Sequence, residues 1–346
     1  MSTEHAERRR AHVFTLFAVA GALAAIAAVT VGIENRASRP DSAAGAVVPG
    51  LADTIGQGQR IIITSAEANY RVERVQRGEE QIWVMRDRDD FPVSRARLDQ
   101  LTRGLQDLRY VRRMTSDPAK HERLGVTDPR EGGRGVLVQI EDGRGALLVN
   151  LILGIETGGP AGGVYVRRPD QEQAWAARGE LPPLRDIASW LDLRLLDLAP
   201  GRLARVEIAP SVGRAYILAR DSAETPWRIF SPALAPLAAS SVAAAAERIT
   251  QVSPVDVRTA PAVQGLARAR VRALTFDSVV IEGELIESDA RTWLKLVARA
   301  QTPEQEPAAL ELNNRVAAWA YALSPLDAES LAPPLSSLLP GAPQVQ

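Results

Sequence analysis

The clearest feature in the alternation of apolar and polar positions is an uncharged run from Val13 to Ile33, directly behind Arg8, Arg9 and Arg10. Wound as a helix, those 21 residues would extend about 31 Å, close to the ~30 Å thickness of a hydrocarbon core. The run predicts a transmembrane anchor over 11–33. The arginines predict a cytoplasmic tail over 1–10, with everything after Ile33 on the far side of the membrane. A cleavable signal peptide is the rival reading, because Ala22, Ala24, Ala25, Ala27 and Ala28 supply small residues, but its apolar region is ordinarily shorter. Residues 34–60 are rich in Ala, Gly, Ser and Pro and predict a flexible linker, with the folded body starting at Ile61.

Within the body, Ile61 to Thr64, Tyr70 to Val75 and Gln81 to Met85 read as strands of an antiparallel meander. After Pro92 the period changes. Leu98, Leu101, Leu105, Leu108 and Val111 recur every three or four residues, predicting an amphipathic helix from Ser94 to Arg113. Val136 to Ile140 and Ala146 to Leu153, joined by Asp142-Gly143-Arg144-Gly145, predict a hairpin, and Val164 to Arg167 a further strand. Ile187, Trp190, Leu191, Leu195 and Leu196 suggest helical packing that ends at Pro200-Gly201.

The order then repeats, with strands at Leu203 to Ile208, Arg214 to Ala219 and Trp227 to Phe230, and a helix from Ala239 to Val252. A shift of 144 positions carries Leu98, Leu105, Leu108 and Val111 onto Val242, Ile249, Val252 and Val255. A shift of 135 carries Val136 to Asp142 onto Val271 to Asp277. The expected fold class is therefore α+β: a transmembrane helix followed by two related modules, 61–200 and 201–331, each of antiparallel strands plus an amphipathic helix. A C-terminal helix is expected from Ala308 to Ala322 and a disordered tail over 332–346.

Composition narrows the chemistry. There are no cysteines, which removes disulfides, thiolate nucleophiles and zinc ribbons, and only three histidines, of which His121 alone lies in the body, in what reads as an exposed loop. A net charge of -1 gives no global attraction to nucleic acid. Of the basic residues only Lys120 and Lys295 are lysine, which reads as the codon bias of a GC-rich bacterial genome. Asp89-Asp90 and Glu141-Asp142 could serve a glycosidase only if two acids faced each other across a cleft, and both pairs fall in predicted turns. The glycines at 154, 158, 159, 162 and 163 lack the Gly-Lys-Ser/Thr ending of a phosphate loop. No catalytic residue, cofactor or metal site is expected.

One charged feature stands out. The stretch 94–113 carries Arg95, Arg97, Arg103, Arg109, Arg112 and Arg113 against Asp99 and Asp107, a net +4 over twenty residues. It is the candidate surface for an anionic ligand or partner, against the alternative of an ordinary solvated helix face.

Leu124-Gly125-Val126-Thr127-Asp128-Pro129, the strand Val136 to Ile140, Leu151-Ile152-Leu153-Gly154 and Gly163-Val164-Tyr165-Val166-Arg167 occur in an order that resembles a known family. The stretch from Trp190-Leu191-Asp192 to Leu198, and Leu310 to Leu323 with Trp319-Ala320-Tyr321, are also similar to it. This is domain of unknown function family 4340, and the likeness covers about Ile61 to Leu331. The family resembles or accompanies auxiliary components of gliding-motility-type ABC transporters. What the resemblance implies is a single-pass protein of a bacterial inner membrane with a periplasmic body, a non-enzymatic accessory or scaffold to an ABC-type permease, held in the bilayer through residues 13–33. The alternative expectation is a periplasmic module binding an envelope glycan or lipid in a groove between the modules, bounded by Trp83 and Trp227.

Overall fold

A computed structural model describes residues 45–158, 162–232 and 239–339. The expected tail at 1–10 and anchor at 11–33 lie outside the described residues. Among the described residues no helix is long and apolar enough to cross a membrane. The fold is mixed α and β, two antiparallel sheets with few helices.

The ordered chain is packed well before Ile61. Residues 45–60, read above as the end of a linker, include the buried Val47 and a short helix α1 (Leu51–Thr54) whose Leu51 is also buried. Strands β1 (Gly58–Thr64), β2 (Asn69–Arg77) and β3 (Glu80–Met85) form the predicted meander, extended by β4 (Phe91–Pro92). Helix α2 (Arg95–Asp107) buries Leu98, Leu101 and Leu105, as its period requires, but it ends earlier than the spacing suggests. Leu108 leads instead into strand β5 (Arg109–Thr115), where Val111 is exposed. The hairpin is β6 (Val136–Asp142) and β7 (Leu147–Glu156), followed by β8 (Val164–Arg167) and β9 (Ala174–Arg178).

The second half runs β10 (Leu203–Ala209), β11 (Tyr216–Ala219), β12 (Arg228–Ser231), helix α4 (Ala239–Glu247), β13 (Asp256–Thr259), β14 (Ala267–Thr275), β15 (Val279–Ser288) and β16 (Arg291–Ala300). It continues as helix α5 (Glu306–Val316), β17 (Trp319–Ala322) and helix α6 (Pro325–Leu331). A one-turn helix α3 (His121–Leu124) belongs to the first half. Two expectations at the C-terminus change here. Trp319 to Ala322 is a strand rather than the end of a helix, and residues 332–339 are folded, with Leu338 buried and the Pro333 carbonyl accepting the Tyr216 hydroxyl at 2.8 Å.

Sheet order makes the repeat explicit. The first sheet reads β4-β3-β2-β1-β6-β7-β8-β9-β5 and the second β12-β11-β10-β14-β15-β16-β17-β13. Without β4, the two orders are the same element for element, with α2 and α4 at matching points in the chain. Burial follows the 135-residue shift: Val136, Val138 and Ile140 face inward as Val271, Ala273 and Thr275 do.

The halves differ in what they insert. The β5–β6 connection spans 116–135 and lays Val126 against Leu137, Ile152 and Ala174, whereas the β13–β14 connection is only 260–266. Leu137 is therefore covered, while its counterpart Arg272 stands in solvent. The second half instead inserts α5 between β16 and β17, where Ala309 packs on Val279 and Ala298.

The described residues divide into two compact units, one containing 45–56, 103–138 and 149–181, the other 57–102, 139–148 and 182–339, each as far as it is described. In the former, the motif at Leu124–Pro129 has a mechanical reading: Gly125 takes a left-handed conformation (φ 67°) to close α3, Val126 plugs the sheet face, and Asp128 caps the next turn by accepting the Arg130 N–H. His121, expected in an exposed loop, is buried, its ring Nε2 2.7 Å from the Glu172 carbonyl. In the latter, Phe91 meets Trp319 edge-on at 4.8 Å. Arg88 pairs with Asp256, and Asp89 accepts the Thr259 N–H at 2.9 Å, capping a free position on the edge strand β13.

Candidate functional site

The six arginines singled out by sequence sit on two different elements. Arg95, Arg97 and Arg103 lie on α2, while Arg109, Arg112 and Arg113 lie on β5, so the twenty-residue helix with its +4 face does not form. The reason is local and long-range at once. Arg109 turns its guanidinium back onto the Gln106 and Leu108 carbonyls at 2.5 and 3.2 Å, satisfying acceptors that α2 leaves open at its end. Beyond that point β5 pairs with β9. Arg113 lies over the Trp175 ring at 5.3 Å, beside Tyr110, and Arg112 is exposed. Arg95 is exposed, and Arg103 is exposed but has a partner.

Arg97, one of the six, lines a groove. This concavity, about 850 Å³, is walled by the start of α2 (Ser94, Ala96, Arg97), by parts of the segment 188–197, by residues 249–254 and by Arg315 of α5. Ser94 is fixed there because its N–H donates to the Trp190 carbonyl at 2.8 Å, and the Trp190 indole donates to the Pro183 carbonyl at 2.9 Å. Trp190 also packs against Tyr70, whose hydroxyl donates to the Leu184 carbonyl at 2.9 Å; burial pushes that phenol well above its ordinary range. These buried rings make the near wall rigid. The far wall is the last turn after α4, where Ile249 is buried.

The charges around the groove are mixed. Arg97 donates from Nε to the Ser189 carbonyl at 3.3 Å and from Nη1 to Gln100 Oε1 at 2.8 Å. Arg194 pairs with Asp192 at 3.1 Å, and Arg315 lies 3.8 Å from Glu311. The segment itself departs from the expected helical packing: 192–198 has no helix, turn or bend, and the residues that flank it, Leu191 and Ala199, are both in the extended region. A signal was present, since Leu191-Asp192-Leu193-Arg194-Leu195 alternates with period two, which marks an extended chain. Neither Trp83 nor Trp227 borders this groove; Trp227 is buried with Arg220 over its ring at 4.6 Å, and Trp83 lies half-buried under Arg74 at 5.0 Å.

The carboxylates considered for catalysis are held by structural bonds. Asp89 caps β13, Asp90 binds Arg86 at 2.8 Å, Glu141 accepts Arg60 at 2.7 Å, and Asp142 accepts the Arg144 and Ala146 N–H groups within its own turn. Among the described residues no group of three or more His, Asp or Glu side chains is placed to hold a metal ion.

The model of the family described as Domain of unknown function (DUF4340) matches residues 83–279, more than half of the chain. The chain belongs to this family. The DUF4340 match includes three of the groove's walls, at 94–97, 188–197 and 249–254, and stops short of Arg315. No curated protein and no solved structure matches the chain.

Proposed function

We propose that this DUF4340 protein is a non-enzymatic accessory or scaffold of an ABC-type transport complex, anchored in a bacterial inner membrane with its N-terminus cytoplasmic and its body periplasmic. The observation that carries the reading is the apolar run Val13 to Ile33 behind three arginines, placed ahead of a body of two like-ordered antiparallel sheets. The engagement of the candidate acids in turn and ion-pair bonds supports a binding rather than a catalytic role. So does the groove, whose polar rim suits a protein partner.

Purification of the tagged full chain from membranes solubilised in a mild detergent tests the proposal. Recovery of a permease or ATPase subunit in stoichiometric amount is the expected result. Recovery of the chain alone, or from the soluble fraction, would remove it.

A further inference from the structure

Where the segment 193–198 passes the groove, its main chain has no hydrogen-bond partner among the described residues. Upstream the pairing is ordinary: Val93 and Leu191 form a bridge and the Asp192 N–H donates to the Pro92 carbonyl at 3.3 Å. Downstream the next main-chain bond runs from the Arg202 N–H to the Ala199 carbonyl at 3.0 Å. Between them, among the described residues, the N–H and C=O groups of 193–198 bond to no other main chain and to no side chain. Main-chain polar groups are obligatory hydrogen-bonding groups, and an extended run with both edges unused is a template for another strand.

The segment is also held in place. Leu191 and Leu195 are buried and Leu193 is half-buried, whereas Asp192 and Arg194 between them are exposed, so the run is anchored by alternate side chains as far as Leu195 and is ordered before anything binds. Arg97 has a carbonyl and an amide oxygen as partners and no carboxylate, and Arg315 has its acid at the outer limit of an ion pair. Both cations border the same groove.

We propose that the groove receives an extended peptide segment of a partner protein, which pairs with the main chain of residues 193–198 and sets an acidic side chain against Arg97. Strand addition supplies the affinity through main-chain bonds, and the groove's cations supply the selection. The inference goes beyond the transport reading and stands whether the partner is a transporter subunit or another envelope protein.

The test uses the full chain in detergent micelles and a labelled pool of ten-residue peptides in which glutamate alternates with randomised Val, Ile, Leu, Thr, Phe or Tyr. Saturable binding by fluorescence anisotropy is expected, with slowed amide exchange at residues 193–198. The same pool with alternate N-methylated amides, or with lysine in place of glutamate, should bind at least tenfold more weakly, as should the pool against Arg97→Glu. Arg194→Pro and Asp197→Pro each delete an N–H that the fold does not use. One or both should weaken binding at least tenfold while the thermal midpoint stays unchanged. Absence of binding, protection confined to other residues, or equal affinity for the N-methylated pool overturns the proposal.

Discussion

Asn313 shows how a single side chain can stand in for an element. Strand β17 pairs with β16 only along Trp293 to Lys295, so the buried Ala298 further along β16, paired with Ile281 of β15 on one side, has no strand on the other. The Asn313 amide fills that place from α5, accepting the Ala298 N–H at 2.7 Å and donating to the Ala298 carbonyl at 2.8 Å. An alanine there would orphan a buried donor and a buried acceptor, each worth ~1–3 kcal/mol. Asn313→Ala is therefore expected to cost about 2–4 kcal/mol in denaturant unfolding. Asn313→Asp should cost a comparable amount, because the acid keeps the acceptor but faces the carbonyl with a second one. No spacing in the sequence signals this residue, since its partner is fifteen positions upstream and becomes a neighbour only once α5 lies on the sheet.

Among elements, the meander was legible because its strands alternate and its turns carry turn residues, and the structure pins it with charges as well as backbone bonds. Glu73 on β2 accepts Arg86 at 2.7 Å and Arg60 at 2.8 Å, and Arg60 also reaches Glu141. The two guanidiniums, Arg86 foremost, hold the Glu73 carboxyl below its ordinary range. A depressed folded-state value means that the stabilisation is fully present above the unfolded carboxylate pKa and is lost as pH falls through the lower folded one. The thermal midpoint should thus decline below about pH 4. Glu73→Gln should lower it at neutral pH and flatten that acid limb, as calorimetry across a pH series would read.

Other elements were hidden for physical reasons. Trp319 to Ala322 is buried at every position, so neither a period of two nor one of 3.6 can be read from it. Ala174 to Arg178 is mostly alanine, a poor strand former placed in extended pairing by β8 and β5 on either side. Residues 109–115 continued a helical spacing by coincidence, and pairing with β9 decided their conformation. The groove is half legible: the charge of Arg97 marks one wall, but the alternation at 191–195 is masked by leucines that also fit a helix.

At the scale of the molecule, the duplication seen in the sequence is expressed as a shared strand order, and the unequal insertions decide which sheet faces are apolar. This gives an asymmetric expectation at two matched positions. Leu137→Arg would force a guanidinium beneath Val126, at several kcal/mol, and should unfold the chain or strip its first half of protection in amide exchange. Arg272→Leu would replace an exposed side chain 3.6 Å from Glu282 and should leave the thermal midpoint within about 1 °C, with self-association as the change to look for.

The shared strand order has a further consequence for how the chain reaches its native state. Each half offers the other a set of decoy strands in the right order and direction, the circumstance in which tandem repeats misassemble during refolding. The pair Leu137 and Arg272 then acts as a proofreading mark: a β14 that docked in the place of β6 would bury an arginine under the 116–135 loop, and the wrong pairing would reverse before it could close.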